Sequence, residues 1–132
     1  MSKNNEWNEF FGEVISSYSR KQALEDGVLV DLNQFIPVGE SGYKYPVACT
    51  ITVWEIIERA VNNPKFGNDY EGIVWDILQM SRNCPTKRWT TGCIFQVVII
   101  GAGPKKIFSF KIECGPGDRG EPVLTVMLPE ED

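Results

Sequence analysis

The spacing of apolar residues changes once along this chain, near Pro85, and this change limits the folds that are open to it. In 53–61 and 70–82 the apolar residues recur at intervals of three and four, which is the spacing of one helix face. In 107–114 they alternate with polar residues, which is the spacing of a strand with one solvated face. The sequence therefore predicts that helices come first and that strands follow.

A further helix is predicted over 6–18, where apolar residues also recur at helical spacing. Two pairs of residues have the spacing of a capping box, in which two side chains satisfy free N–H groups at a helix start. These pairs are Ser19 with Gln22 and Thr52 with Glu55. Gly27 is placed to end the short helix that follows Ser19, because glycine adopts the left-handed conformation at no steric cost.

Three strands are predicted after Pro85, over 93–100, 107–114 and 122–128. The first is apolar on both faces, so we expect it in the middle of a sheet. Shorter extended pieces, "VLVDL" and "PVACT", interrupt the helical part of the chain. Because helices and strands are segregated along the chain, the predicted fold class is α+β, with N-terminal helices packed on a C-terminal three-stranded antiparallel meander. One domain, 1–132, is expected from the length.

The chain has no histidine, which excludes a Ser-His-Asp triad, a histidine-bound zinc and a histidine general base. Its four cysteines include no CxxC spacing, so neither a zinc site nor a redox pair is indicated. Cys49 and Cys93 are instead expected to be reduced thiols in the core. No pair of carboxylates stands out by its spacing, so we predict no catalytic residue, no metal and no cofactor.

Charge and hydropathy limit the partners. The formal net charge of -5 argues against a nucleic-acid binder that works by neutralising phosphates. Lys87, Arg88 and Trp89 have the composition of a site that binds single-stranded nucleic acid. The favoured interpretation is a surface loop whose tryptophan is buried in the core. No apolar run is long enough to span a membrane, and the N-terminal stretch lacks the pattern of a signal peptide. We therefore expect a cytoplasmic protein that binds neither nucleic acid nor membrane.

Two polar stretches are candidates for recognition. For "CGPGDRGEP", 114–122, the favoured interpretation is a strand-to-strand turn of fixed shape, and the alternative is an anion-binding nest of glycine N–H groups. For "YSRKQALEDG", 18–27, the favoured interpretation is a capped helical turn with solvated charges, and the alternative is a recognition surface. The candidate residues for binding a partner or ligand are Tyr18, Arg20, Asp26, Asp118, Arg119 and Glu121.

Four segments in this order resemble a family of small uncharacterised proteins of bacteria, phages and plasmids. They are "YSRKQALEDGVLVDL", "YPVACTITVWEII", "EGIVWDILQM" and "KIECGPGDRGEPVLTVMLPEED", and they carry the motifs YSRxQAxxDG and CGPGDxGEP. The resemblance implies relatives on mobile elements and implies no particular activity. It also implies that the family's pattern includes Tyr18, Arg20, Gln22, Asp26, Gly27, Asp31, Trp54, Trp75, Gly115, Gly117, Asp118, Gly120 and Glu121.

These features favour a non-enzymatic accessory protein that acts by binding another protein, whose identity the sequence does not indicate. The alternative is a small-ligand-binding protein or an enzyme that uses the glycine-rich loop 114–121. Trp54 and Trp75 lie off the main stripes of their helices, so each is either covered on a second side or exposed. Exposed tryptophans would bury apolar surface on association, which makes a homodimer compatible with the sequence.

Overall fold

The computed structural model describes residues 18–83 and 92–131. The helix predicted over 6–18 lies outside these residues except for Tyr18, and the cluster of Lys87, Arg88 and Trp89 lies outside them entirely. The described helices are α1 (Arg20–Glu25), α2 (Val38–Ser41), α3 (Ile51–Val61) and α4 (Tyr70–Arg82), with a 3-10 turn at Leu32–Gln34. The described strands are β1 (Leu29–Asp31), β2 (Val47–Thr50), β3 (Cys93–Val98), β4 (Ile107–Pro116) and β5 (Pro122–Met127).

The fold is α+β, and its five described strands form one mixed sheet in the order β1-β2-β5-β4-β3. Neighbouring strands are antiparallel except for β2 and β5, which run parallel with Val47 opposite Leu124. The predicted three-stranded antiparallel meander is therefore wrong. The two short strands of the helical half extend the sheet because the backbone groups on the second edge of β5 need hydrogen-bond partners. One such group, the N–H of Leu124, donates to the carbonyl oxygen of Pro46 at 2.9 Å.

The prediction that the first apolar strand lies in the middle of the sheet stays a prediction. Among the described strands β3 stands at one end of the order and pairs with β4. Phe95 and Val97 face inward and are buried, whereas Gln96 and Val98 face outward and are exposed. An apolar outward face signals burial only when a second layer covers it, and no described element buries Val98.

The core lies between one face of the sheet and the helices α3 and α4. The periodic stripes of both helices supply its helical side, including the fully buried Val53, Ile57, Ile77 and Leu78. Strand β4 supplies the centre of the opposite side through Phe110, which is also fully buried. The helical stripes predicted from the sequence are therefore confirmed as core faces.

One of the two predicted capping boxes is present. The hydroxyl of Ser19 accepts from the N–H of Gln22 at 3.0 Å, and the N–H of Ser19 donates to the side chain of Gln22 at 3.1 Å. The box predicted from Thr52 and Glu55 is wrong, because α3 begins two residues earlier and Thr50 caps it. Thr52 instead donates to the carboxylate of Glu131 at 3.1 Å.

The cysteine prediction is half right. Cys49 is a free, fully buried thiol, and burial raises its pKa to about 12. Cys93 is buried as well, but it is disulfide-bonded, so the prediction of a reduced thiol is wrong there. Cys114, on β4, is free and exposed.

The two off-stripe tryptophans have different surroundings. Trp54 is half-buried in a stack of aromatic rings, with centroid separations of 5.7 Å to Phe35 and 5.1 Å to Tyr70. Trp75 is 42% exposed on the outer side of α4. The stack covers Trp54 on a second side, whereas Trp75 keeps apolar surface in contact with solvent.

Candidate functional site

The stretch "CGPGDRGEP" forms the end of β4, a tight turn, and the start of β5. The N–H of Gly120 donates to the carbonyl oxygen of Gly117 at 3.0 Å, and the N–H of Gly117 donates to that of Glu121 at 2.6 Å. The carboxylate of Glu121 also accepts from the N–H of Arg119 at 2.8 Å. Gly120 has a φ of +81°, which favours glycine. The turn therefore has a fixed shape set by its own hydrogen bonds.

Asp118 joins this turn to α1, which lies far away in the sequence. One carboxylate oxygen accepts from the N–H of Arg20 at 2.7 Å, and the other accepts from the N–H of Lys21 at 3.0 Å. These N–H groups belong to the first turn of α1 and have no partner within the helix. The same two hydrogen bonds lower the pKa of Asp118, because they favour its charged form.

Arg20 makes the second connection, between α1 and the sheet. Its guanidinium donates to the hydroxyl of Thr125 and to the carbonyl oxygen of Leu124, each at 2.9 Å. Partial burial lowers the pKa of Arg20, while the charges of Asp118, Asp31 and Glu121 act in the opposite direction. The side chain thus anchors α1 on β5 through a planar group that reaches two acceptors at once.

Tyr18 and Asp26 form a third connection, from one end of α1 to the other. The Tyr18 hydroxyl donates to the Asp26 carboxylate at 2.8 Å, and this bond raises the pKa of the tyrosine. Gly27 then leaves the helix with a φ of +78°, as the sequence predicts. The capping box and this hydrogen bond together stabilise both ends of α1.

All six candidate residues therefore lie in one place, which we name the α1 corner and define as residues 18–26 together with 117–121. Three of them, Arg20, Asp118 and Glu121, line a shallow pocket of about 320 Å³. Tyr18, Asp26 and Arg119 do not line it. The rest of the lining is Lys21, Leu24, Glu25, Pro46 and Val123.

The chemistry of the corner suits attachment better than proton transfer. Both oxygens of Asp118 accept backbone N–H groups, and the lowered pKa of this carboxyl makes it a poorer proton donor and acceptor near neutrality. One oxygen of Glu121 is held by the turn. Among residues 18–83 and 92–131, no group of three or more acidic or cysteine side chains is arranged to hold a metal ion.

Sequence reasoning missed two residues whose side chains join separate segments, one at the corner and one outside it. Thr125 receives the Arg20 guanidinium, and its signal was present in the alternation of β5, where it is the polar residue among apolar neighbours. The second is Glu131, whose carboxylate accepts from the hydroxyl of Thr50 and the N–H of Leu128, both at 2.8 Å. Nothing in the sequence around Glu131 indicates these partners.

The fixed shape of the turn leads to a first prediction. Gly120→Ala should lower the free energy of unfolding by about 1 kcal/mol, because a Cβ atom disfavours the left-handed conformation that Gly120 adopts. The matched control is Gly115→Ala, where a Cβ would meet nothing within 4 Å and φ is ordinary. Equilibrium urea unfolding measures both variants. Equal effects at the two positions would contradict the described turn.

The lowered pKa of Asp118 leads to a second prediction, on pH. A carboxyl whose pKa is lower in the folded state adds stability above its ordinary pKa of 3.8, and that contribution is lost as the pH falls through the lowered value. The free energy of unfolding of the wild-type chain should therefore fall on acidification below this pH. In Asp118→Asn this fall should be smaller. Urea midpoints measured across the acid range test it, with Asp76→Asn on α4 as the control. A parallel decline in wild type and Asp118→Asn would contradict the assignment.

The fold and the site together define a small α+β protein whose described strands form one five-stranded mixed sheet, with a polar corner held together by internal hydrogen bonds. The chain belongs to the family of unknown function DUF6573, whose family model matches residues 7–132. No curated protein and no solved structure matches the chain significantly. The expectation of an uncharacterised family is thus confirmed, whereas the motif pattern and the occurrence in bacteria, phages and plasmids stay predictions. No described helix is long and apolar enough to cross a membrane.

Proposed function

We propose that this chain is a non-enzymatic accessory protein that binds another protein through its α1 corner. The observation that carries the proposal is the pair of hydrogen bonds from Arg20 and Lys21 to Asp118, which joins segments 98 and 97 residues apart into one surface. A surface that is already ordered loses little conformational entropy on binding, so its contacts contribute more of their free energy to affinity.

The outward side chains of the corner support a protein partner. Lys21, Glu25 and Arg119 are exposed, and within the described part of the chain their side chains make no hydrogen bond. Leu24 stands among them with 37% of its surface exposed. An apolar side chain surrounded by charges of both signs is the arrangement of an interface centre with a polar rim.

The proposal includes a cytoplasmic location and a role on mobile elements, both of which rest on the sequence alone. The absence of histidine removes the commonest general base from the chemistry of the chain. The bonded carboxylates of the corner support a binding role in place of a catalytic one.

The shallow pocket favours a second candidate function, the binding of a small ligand. Its volume of about 320 Å³ is near the lower end for ligand sites, and Arg20, Lys21 and the two loop carboxylates line it. A ligand held there would contact Leu24 and Val123 through its apolar part. This alternative predicts that a small molecule raises the melting temperature of the purified chain.

The test compares partner capture by two double variants of equal charge. Lys21→Glu with Arg119→Glu alters the corner, and Lys65→Glu with Lys106→Glu alters exposed lysines elsewhere by the same four charge units. Tagged chains are incubated with a lysate of the native host. We expect a stoichiometric partner that binds wild type and the control pair but not the corner pair.

The outcomes separate the two candidates. A partner retained equally by both double variants would overturn the corner as the binding surface. Without any partner, a metabolite that stabilises wild type but not Lys21→Glu with Arg119→Glu would favour the small-ligand alternative. Circular dichroism of each variant establishes that it is folded before binding is compared.

A further inference from the structure

The sheet has two faces, and the described helices divide between them. Helices α3 and α4 pack on the inner face, which carries the core residues Phe95 and Phe110. The outer face carries Thr125, whose hydroxyl accepts from the Arg20 guanidinium, so α1 lies on this second side. Its main packing partner there is β1, which stands at the opposite end of the described strand order from β3.

The outer face of β3 and β4 exposes a group of apolar side chains. Val98 and Ile107 are cross-strand neighbours on this face, and they are 56% and 54% exposed. Ile100, just beyond the end of β3, is 42% exposed. We name these three residues the outer patch. Neighbouring apolar side chains that face solvent mark a surface that packs against another apolar surface.

The N-terminal part of the chain carries a matching surface. Its apolar residues recur at intervals of three and four, which is the spacing of one helix face. They are Trp7, Phe10, Phe11, Val14 and Ile15. A helix with such a stripe is stabilised mainly by packing the stripe on another apolar surface. The family match begins at residue 7, so the stripe belongs to the same family domain as the sheet.

The N-terminal segment joins the described residues next to α1, on the side of the sheet that carries the outer patch. Arg20 of α1 contacts Thr125, and Thr125 lies opposite Glu113 of β4. The stretch of β4 from Ile107 to Glu113 spans about 20 Å. A helix over 6–17 spans about 18 Å. A helix that begins over the outer patch therefore has the right length to end beside α1.

The charges agree with this direction of the helix. Glu6 and Glu9 lie in the first half of the predicted helix, and the turn next to the outer patch carries the exposed Lys105 and Lys106. Carboxylates and ammonium groups are thus brought to the same end of the sheet. A second copy of the chain is a less favourable occupant, because two chains with a net charge of -5 repel each other.

We propose that residues 6–17 form an amphipathic helix that docks on the outer patch, so that the sheet lies between two helical layers. Trp7, Phe10 and Phe11, at the end of the stripe that is farther from α1, cover Val98 and Ile107. The outer patch contains no residue of the α1 corner, so the proposal does not depend on the function proposed above.

Nuclear Overhauser effects in the isotope-labelled full chain test the proposal directly. We expect contacts between ring protons of Trp7, Phe10 or Phe11 and methyl protons of Val98 and Ile107. A mixture of labelled and unlabelled chains shows whether a contact lies within one chain or between two. If no such contact existed, or if it arose only between chains, the proposal would be overturned.

Two double variants of equal charge add a second test. Phe11→Asp with Val14→Asp places two carboxylates on the stripe, so the urea midpoint should fall and the methyl resonances of Ile107 should shift. Asn5→Asp with Ser16→Asp adds the same charge on the opposite side of the predicted helix, and it should behave like wild type.

Unchanged Ile107 resonances in a folded stripe variant would place the stripe somewhere other than the outer patch and overturn the proposal. Equal effects of the stripe variant and its control would do the same, because only the stripe side is proposed to dock. If the stripe variant does not fold, the contacts measured in the wild-type chain decide.

Discussion

Replacing Phe110 by alanine is expected to lower the free energy of unfolding by about 3–5 kcal/mol. Phe110 is fully buried on β4, and its ring centroid lies 6.2 Å from that of Phe108 and 6.1 Å from that of Phe95. Truncation removes buried apolar surface and leaves a cavity that two rigid neighbouring rings cannot fill. Equilibrium urea unfolding, followed by circular dichroism, measures the change.

The control for this prediction is Phe66→Ala, because the Phe66 ring is 49% exposed in the loop between α3 and α4. That substitution should change the free energy of unfolding by less than about 1 kcal/mol. If Phe110→Ala lowered the free energy of unfolding as little as Phe66→Ala, that result would contradict the described packing of β4 against the two long helices.

Arg20→Ala is the second large prediction, with an expected loss of about 2 kcal/mol in the free energy of unfolding. The substitution removes the hydrogen bonds to the Thr125 hydroxyl and the Leu124 carbonyl oxygen, both made by a partly buried charged group. It also frees the N-terminal turn of α1 from β5, so partner capture through the corner should fall with it. Urea unfolding and the capture assay measure the two effects separately.

Two neighbouring substitutions sharpen the Arg20 prediction. Arg20→Lys keeps the charge but cannot reach both acceptors in the fixed geometry of a guanidinium, so it should recover only part of the lost stability. Lys21→Ala, at the next and exposed position, should be close to neutral because the backbone N–H that donates to Asp118 remains. If Arg20→Lys recovered the whole loss in the free energy of unfolding, the positive charge alone, and not the geometry of the guanidinium, would account for the stabilisation.

Most of the secondary structure could be predicted from local patterns. The stripes of α3 and α4 follow from their spacing, and the end of α1 follows from Gly27. The sheet order could not be predicted, because β1 and β2 have three and four residues and are too short to display an alternation. The position of β3 does not follow from its sequence, because an apolar outward face looks the same at an edge as in the middle of a sheet.

The candidate site was predicted as a set of residues but not as an arrangement. Clusters of polar residues around prolines and glycines pointed to Arg20 and Asp118 separately. That the carboxylate of Asp118 caps the first turn of α1 depends on the long-range path of the chain, which no local pattern encodes. The sequence patterns of β4 and β5 predict that these two strands pair. They do not predict that α1 lies against the turn between them.

The parallel pairing of β2 with β5 has a consequence for synthesis. A ribosome produces the chain from its N-terminus, and β5 is the last strand along the described residues, yet it lies in the middle of the sheet. Until Leu124 emerges, the edge of β2 that will face it lacks the strand β5, and the core lacks the buried side chains of Leu124 and Val126. We therefore expect nascent chains that stop before β5 to stay unfolded and to depend on chaperone binding. Folding should follow once β5 has emerged from the ribosome.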